Sequence, residues 1–286
     1  MASNFIIFYN GREGSTAIVN SLGGQEGIHI PLIEDLDAYK YLKIHRAKHL
    51  PNSLEEIFKT GNYTSADVYE TKIQALGNRA SIDSVGFKWR IFGDISQIAK
   101  ALVKLDVSVF VLYRRDFLNI VCSSYAHSNG NKLQSDIDVV KHPQFRMSQM
   151  NDDELEAYSD KLSAQQFELK SRLFTKSAIE QVKIRKSQLR KIRQLSKNGV
   201  KIGTLFYEDF DESPERFIKS LMSRIGIDGN RKFNPECSFT KVHKRPISER
   251  IQGLESITTG LRGAPYRLLK REYEKAIKET VRLSKI

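Results

Sequence analysis

The chain has 286 residues, 40% of them hydrophobic, and sets 46 Lys/Arg against 34 Asp/Glu for a formal charge of +12. That apolar share is enough for a buried core, but no uninterrupted apolar stretch approaches the roughly 20 residues needed to cross a bilayer, which argues against a membrane-spanning chain. Cys122 and Cys237 are its only cysteines and lack paired metal-ligand spacing, so neither a disulfide framework nor a zinc site is expected. A soluble, cytoplasmic, globular protein is expected, with no basic leader ahead of the first strand. The positive balance favours an anionic partner: nucleic acid, an acidic glycan, an anionic lipid surface or a multiply phosphorylated cofactor.

The first element is the apolar run Phe5-Ile6-Ile7-Phe8, which breaks into Tyr9-Asn10-Gly11-Arg12-Glu13-Gly14 and reopens as a helix at Ser15-Thr16. A strand, a glycine-containing turn and a helix in immediate succession suit an anionic phosphate. The glycines let the backbone come close, and the unpaired amides of the new helix present a partial positive charge of about half a unit. Ser15 and Thr16 add hydroxyl donors, and Arg12 adds a fixed cation. A nucleoside-triphosphate loop needs Gly-Lys-[Ser/Thr], whereas this chain reads Gly14-Ser15-Thr16. The turn therefore has the phosphate cradle without the lysine and magnesium arrangement.

An irregular segment follows from Gly23 to Ala80, with Pro31 and Pro51 among polar turns, of the kind that shapes substrate pockets. Ser84–Trp89 reads as a strand, Asp94–Leu105 as a helix, and Val107–Tyr113 as a strand covered on both faces. Arg114-Arg115-Asp116 ends that strand before a helix from about Phe117 to His127. Gly130–Gln149 is expected to be a loop, and two long polar helices are expected between Asp152 and Lys197. The run Lys183–Lys201 holds eight Lys/Arg and no acid; it reads as a solvated helix face ending at Asn198-Gly199. Val200–Tyr207 reads as a strand ahead of Glu208-Asp209-Phe210, and Ser213 with Pro214 as the start of a helix. Strands alternating with helices predict an α/β fold: three layers, a mainly parallel central sheet, helices on both faces, and ligands beyond the carboxyl ends of the strands. No linker divides the chain, so 1–286 reads as one domain with helical insertions at about 23–80 and 130–198.

Two anion-binding junctions on one sheet edge suggest a nucleotide phosphorylated at both ends. Arg12-Glu13-Gly14-Ser15-Thr16 resembles the [Lys/Arg]-x-Gly-[Ser/Thr]-[Ser/Thr] loop with which sulfotransferases bind the 5′-phosphosulfate of PAPS (3′-phosphoadenosine 5′-phosphosulfate). Tyr113 to Ser123 is similar to their second motif, a strand-ending arginine followed by a serine that together hold the 3′-phosphate. Tyr207-Glu208-Asp209-Phe210 resembles a Tyr-Glu-Asp-Leu strand end. The bacterial carbohydrate and glycolipid enzymes look most similar, through Arg-x-Asp with serine at the ninth position, which selects Arg114; the Arg-Asp-Pro branch, with serine at the eighth, selects Arg115.

The resemblance implies a P-loop NTPase-like sulfotransferase fold and in-line transfer of a sulfuryl group from PAPS to an acceptor hydroxyl or amine. It requires no metal and leaves adenosine 3′,5′-bisphosphate. It places Arg12 at the bridging oxygen and 5′-phosphate, beside contacts from Glu13, Gly14, Ser15 and Thr16. Glu34, shortly after Pro31, is the first choice of general base, with His29 and Asp35 as alternatives. Lys88 matches a lysine that holds the sulfonate or the acceptor. Lys244 and Arg245 fall where the family returns to the 3′-phosphate, and Tyr207 could line the adenine pocket. The implied partner is a small-molecule, glycan or glycolipid acceptor, not nucleic acid. Two other readings stay open: a nucleotide phosphotransferase of the same fold class, and a basic, non-catalytic nucleic-acid-binding protein.

Overall fold

The computed structural model describes residues 3–11, 13–30, 54, 58, 82–90, 94–133, 153, 156, 157, 160, 164, 166–235, 247–260 and 263–284. In chain order these form β1 (Phe5–Phe8), α1 (Ser15–Gly23), β2 (Ile28–His29), β3 (Ser84–Trp89), α2 (Ile95–Lys104), β4 (Ser108–Tyr113) and α3 (Phe117–Leu133). There follow β5 (Phe167–Glu168), α4 (Ser171–Lys197), β6 (Ile202–Phe206), α5 (Tyr207–Glu212), α6 (Pro214–Arg224), β7 (Ile251–Gln252), α7 (Glu255–Thr258) and α8 (Ala264–Leu283). Two compact units result. The first joins Met1–Arg115, Arg185–Phe239 and Lys275–Ile286; the second joins Asp116–Ile184 and Thr240–Glu274.

The first unit is built on a five-stranded sheet in the order β2-β3-β1-β4-β6, with every neighbouring pair parallel. This is the expected α/β architecture. The β1-α1-β2 connection steps across β3 in one direction, and β3-α2-β4 steps across β1 in the other. Right-handed crossovers then put α1 and α2 on opposite faces. The strand residues divide accordingly. Phe5, Ile7, Tyr9, Phe110 and Leu112 share one core with Ile18 and Leu22 of α1 and with Ile218 and Leu221 of α6. Ile6, Phe8, Phe87 and Trp89 alternate to the other face, where the Phe8 and Trp89 rings lie 5.6 Å apart. Burial on both faces is why β1 and β4 read as nearly continuous apolar runs. Gly86 faces Phe5 across the ladder, and a Cβ there would lie 2.2 Å from the Phe5 ring, so the strand gives up a side chain to admit an aromatic from its neighbour. Truncating Phe5 in that setting costs about 3–5 kcal/mol.

In the second unit the Asp116 carboxylate accepts from the amide of Asn119 at 3.0 Å, capping the start of α3. Phe117 packs its ring 4.9 Å from Tyr273 and 5.5 Å from Tyr266. Tyr125 donates to the carbonyl of Glu168 and accepts from the amide of Lys170, tying α3 to the segment at β5, which pairs in parallel with β7. Cys122 is buried here, and burial, with the nearby Asp116 charge, pushes its thiol up to about 12. Among the described residues no helix is long and apolar enough to cross a membrane.

Four local expectations change. Residues 130–133 belong to α3 rather than to a loop. Tyr207 opens α5 instead of ending β6. Ser213 occupies the N-cap position of α6 with Pro214 at the first turn, yet its side chain makes no capping bond. The short strands β2, β5 and β7 were not anticipated, because two residues are too few to display a period.

Candidate functional site

β1 and β4 are neighbours, with Phe8 opposite Val111, so the turns that follow them open on the same sheet edge. From β1 the chain leaves to the α1 face. From β4 it reaches β6 by a step in the same direction as β3 to β4, so its returning helix lies on the α2 face. Adjacent strands whose connections diverge to opposite faces leave a crevice at their carboxyl ends, where open α/β sheets take ligands.

The turn after β1 joins strand to helix directly, in the order its sequence predicts. Gly14, at φ 75° and ψ 14°, stands in the left-handed region as the N-cap of α1, and among the described residues no side chain caps that end. The first amides of α1 are therefore available to an anion, and the helix dipole favours negative charge there. Lys88 is 2% exposed; its Nζ donates to Thr16 Oγ1 at 2.5 Å and lies 5.3 Å from the centre of the Tyr9 ring. The guanidinium of Arg90 sits 5.4 Å from that same ring. Lysine and arginine thus flank one aromatic beside an amide-lined helix end.

Glu13 sits differently from the expectation. Its side chain is buried, Oε2 accepting from the Asn10 amide at 2.6 Å and Oε1 from the guanidinium of Arg185. Arg185 also donates to Gln188 Oε1, which accepts from Asn10 Nδ2 at 2.9 Å, and its guanidinium lies 4.3 Å from the Tyr113 ring centre. The Glu13 carboxylate is engaged inside the fold, which leaves its backbone to a ligand. Arg185, within the run read as a solvated face, is 1% exposed. Its position was legible: 185 falls on the apolar stripe Val182, Leu189 and Ile192, spaced three, four and three residues apart.

At the second turn the two arginines have different surroundings. Arg115 stacks 3.7 Å from the Phe206 ring centre and pairs with Asp209 at 2.7 Å, both side chains about half exposed at 50% and 49%. Arg114 lies 5.0 Å from the Tyr207 ring centre. Tyr207 in turn lies against Gly14, where an added Cβ would come within 2.1 Å of its ring. One tyrosine therefore touches both turns. Burial, followed by the Asp211 charge, raises the pKa of its hydroxyl.

Gly14, Ser15, Thr16, Lys88, Arg114 and Tyr207 come together on this edge. His29 does not: it pairs with Val85, four residues before Trp89, which puts it about 13 Å down the strand from the turns. Ser123, on α3 of the second unit, is half-buried. Arg12, Glu34, Asp35, Lys244 and Arg245 lie outside the described residues. Sequence reasoning missed Arg90 and Arg185, both of which the folded chain brings to the first turn.

No protein-family model matches the chain, and no curated protein does. Among solved structures it is similar to a sulfotransferase from Alicyclobacillus acidocaldarius, at 12% identity over 96% of each chain with a TM-score of 0.43, too distant a likeness to say what this chain does.

Proposed function

We propose that this chain is a sulfotransferase that moves a sulfuryl group in line from PAPS to a hydroxyl or amine of a carbohydrate or glycolipid acceptor. The observation that carries the reading is the meeting of two strand-end turns through Tyr207, with the uncapped amides of α1 and Lys88 on one side and Arg114 on the other. The donor set suits the group: amides and a buried ammonium for a phosphosulfate, and a guanidinium held on an aromatic ring for a second phosphate. PAPS, when bound, supplies the sulfuryl group and a stable phosphate leaving group. The first turn of α1 and Lys88 bind and neutralise oxyanions there, an electrostatic role that needs no proton transfer. Arg12 stabilises the charge that develops on the bridging oxygen, and Glu34 removes the acceptor proton.

The experiment is thermal shift followed by transfer. Adenosine 3′,5′-bisphosphate at about 100 times its Kd should stabilise the protein by about 2.7 kcal/mol. ATP with magnesium, or duplex DNA, should do much less. Stabilisation by ATP with magnesium alone supports a phosphotransferase instead, and salt-sensitive shifts with DNA alone support nucleic-acid binding. In labelled-PAPS turnover, Arg12→Ala should remove most activity with the fold intact, and Glu34→Gln should lower kcat more than cofactor affinity. Near-normal turnover in either variant removes that residue's role.

A further inference from the structure

Among the described residues no side chain caps α1 at the turn after β1, yet that turn is tied firmly from the other direction. Asn10 and Glu13 each make a bond into α4: Asn10 Nδ2 donates to Gln188 Oε1 and Glu13 accepts from Arg185, while Glu13 Oε2 closes the turn on the Asn10 amide. Arg185 and Gln188 stand one helical turn apart and are linked to each other, so the two anchors form a single network. Glu13 and Arg185 are each 1% exposed and Gln188 is 3% exposed. A buried charge pair contributes little net stability compared with an apolar packing of the same volume. What it does supply is directional: a forked guanidinium meets a carboxylate and an amide oxygen in one geometry.

We propose that Arg185 is a positioning residue for the anion site. Through Glu13 and Gln188 it sets the conformation of Asn10, Glu13 and Gly14, which aims the first amides of α1. Resting on the sulfotransferase reading only for the identity of the ligand, the proposal is otherwise a statement about the turn itself. It gives Glu13 a role opposite to that of a ligand contact: its charge is turned away from the anion and neutralised by Arg185, so the turn presents amides and not a carboxylate. The repulsion a free Glu13 would exert on a phosphate is thereby removed.

The test uses the full chain with Arg185→Lys, which keeps the charge but loses the fork, Asn10→Ala, which removes the Gln188 link and leaves the buried pair in place, and Glu13→Gln. Arg193→Lys, in the half-exposed Arg193–Glu279 pair on the same helix, is the control. Hydrogen exchange of the peptide covering residues 9–16 is read beside global Tm and the affinity for adenosine 3′,5′-bisphosphate. In Arg185→Lys the exchange of this peptide should quicken about tenfold relative to the rest of the chain, and affinity should fall about tenfold. Asn10→Ala should show the same local effect in smaller degree, and Arg193→Lys neither. Unchanged exchange at 9–16 in both Arg185→Lys and Asn10→Ala overturns the proposal. If a folded wild type does not bind the bisphosphate at all, the sulfotransferase reading fails, while the exchange comparison still decides whether Arg185 holds the turn. Quickened exchange with undiminished affinity overturns the link between turn and ligand.

Discussion

The two turns on the carboxyl edge of the sheet are held by opposite means. The turn after β1 hangs on an ion pair whose side chains are 2% and 0% exposed; the turn after β4 carries one whose side chains are 50% and 49% exposed. Removing a partner from the first strands an uncompensated charge in a low dielectric, whereas removing one from the second returns a charge to water. On the function proposed above, the first turn would hold the reacting end of the ligand and the second its other end. That comparison can be broken in graded ways.

The largest effect is expected from Glu13→Ala, which leaves Arg185 buried without its carboxylate and should cost about 3–5 kcal/mol by chemical denaturation. A loss below about 1 kcal/mol would mean that the pair is solvated in solution. Gly14→Ala comes next. The left-handed backbone alone costs about 1–2 kcal/mol, and the new methyl group strikes Tyr207. The clash should vanish in Gly14→Ala/Tyr207→Ala, so the double-mutant cycle should give a coupling of at least about 1 kcal/mol, and strict additivity would separate the ring from the turn.

At the second turn, Arg114→Ala should weaken adenosine 3′,5′-bisphosphate about tenfold, as expected for one charged hydrogen bond. Arg115→Ala should change affinity less and stability by under about 1 kcal/mol, a difference that shrinks further in salt. The reverse order of the two arginines would assign the phosphate to Arg115. The smallest signal is in pH. The raised Tyr207 hydroxyl contributes stability that is complete below the ordinary tyrosine pKa near 10 and is lost as pH rises above it. Tyrosinate absorbance from this residue should therefore be absent through neutral pH and appear later than that of exposed tyrosines; early ionisation would mean that the ring does not lie half-buried between the turns.

Much of this arrangement is legible in the chain alone. β1, β4 and β6 follow from apolar runs bounded by turn residues, β3 from the alternation of Val85, Phe87 and Trp89, and α2 from its period and from Asp94, whose carboxylate caps Ser96 and Gln97. The glycine at position 14 and the absence of a lysine after it separate this strand-to-helix turn from a nucleoside-triphosphate loop without any coordinates. Such features depend on neighbours a few positions away, where backbone geometry and side-chain period decide the outcome. The tertiary structure decided the rest. It put β4 beside β1, brought Tyr207 from the start of α5 against Gly14, separated His29 from the turns, and distinguished Arg114 from Arg115. It also turned Arg185 from one basic residue among eight into the buried partner of a carboxylate 172 positions away. A crossover connection sets such a partnership, and the free energy of burying a charge enforces it; neither leaves a mark on the residues adjacent in sequence beyond a place on an apolar stripe.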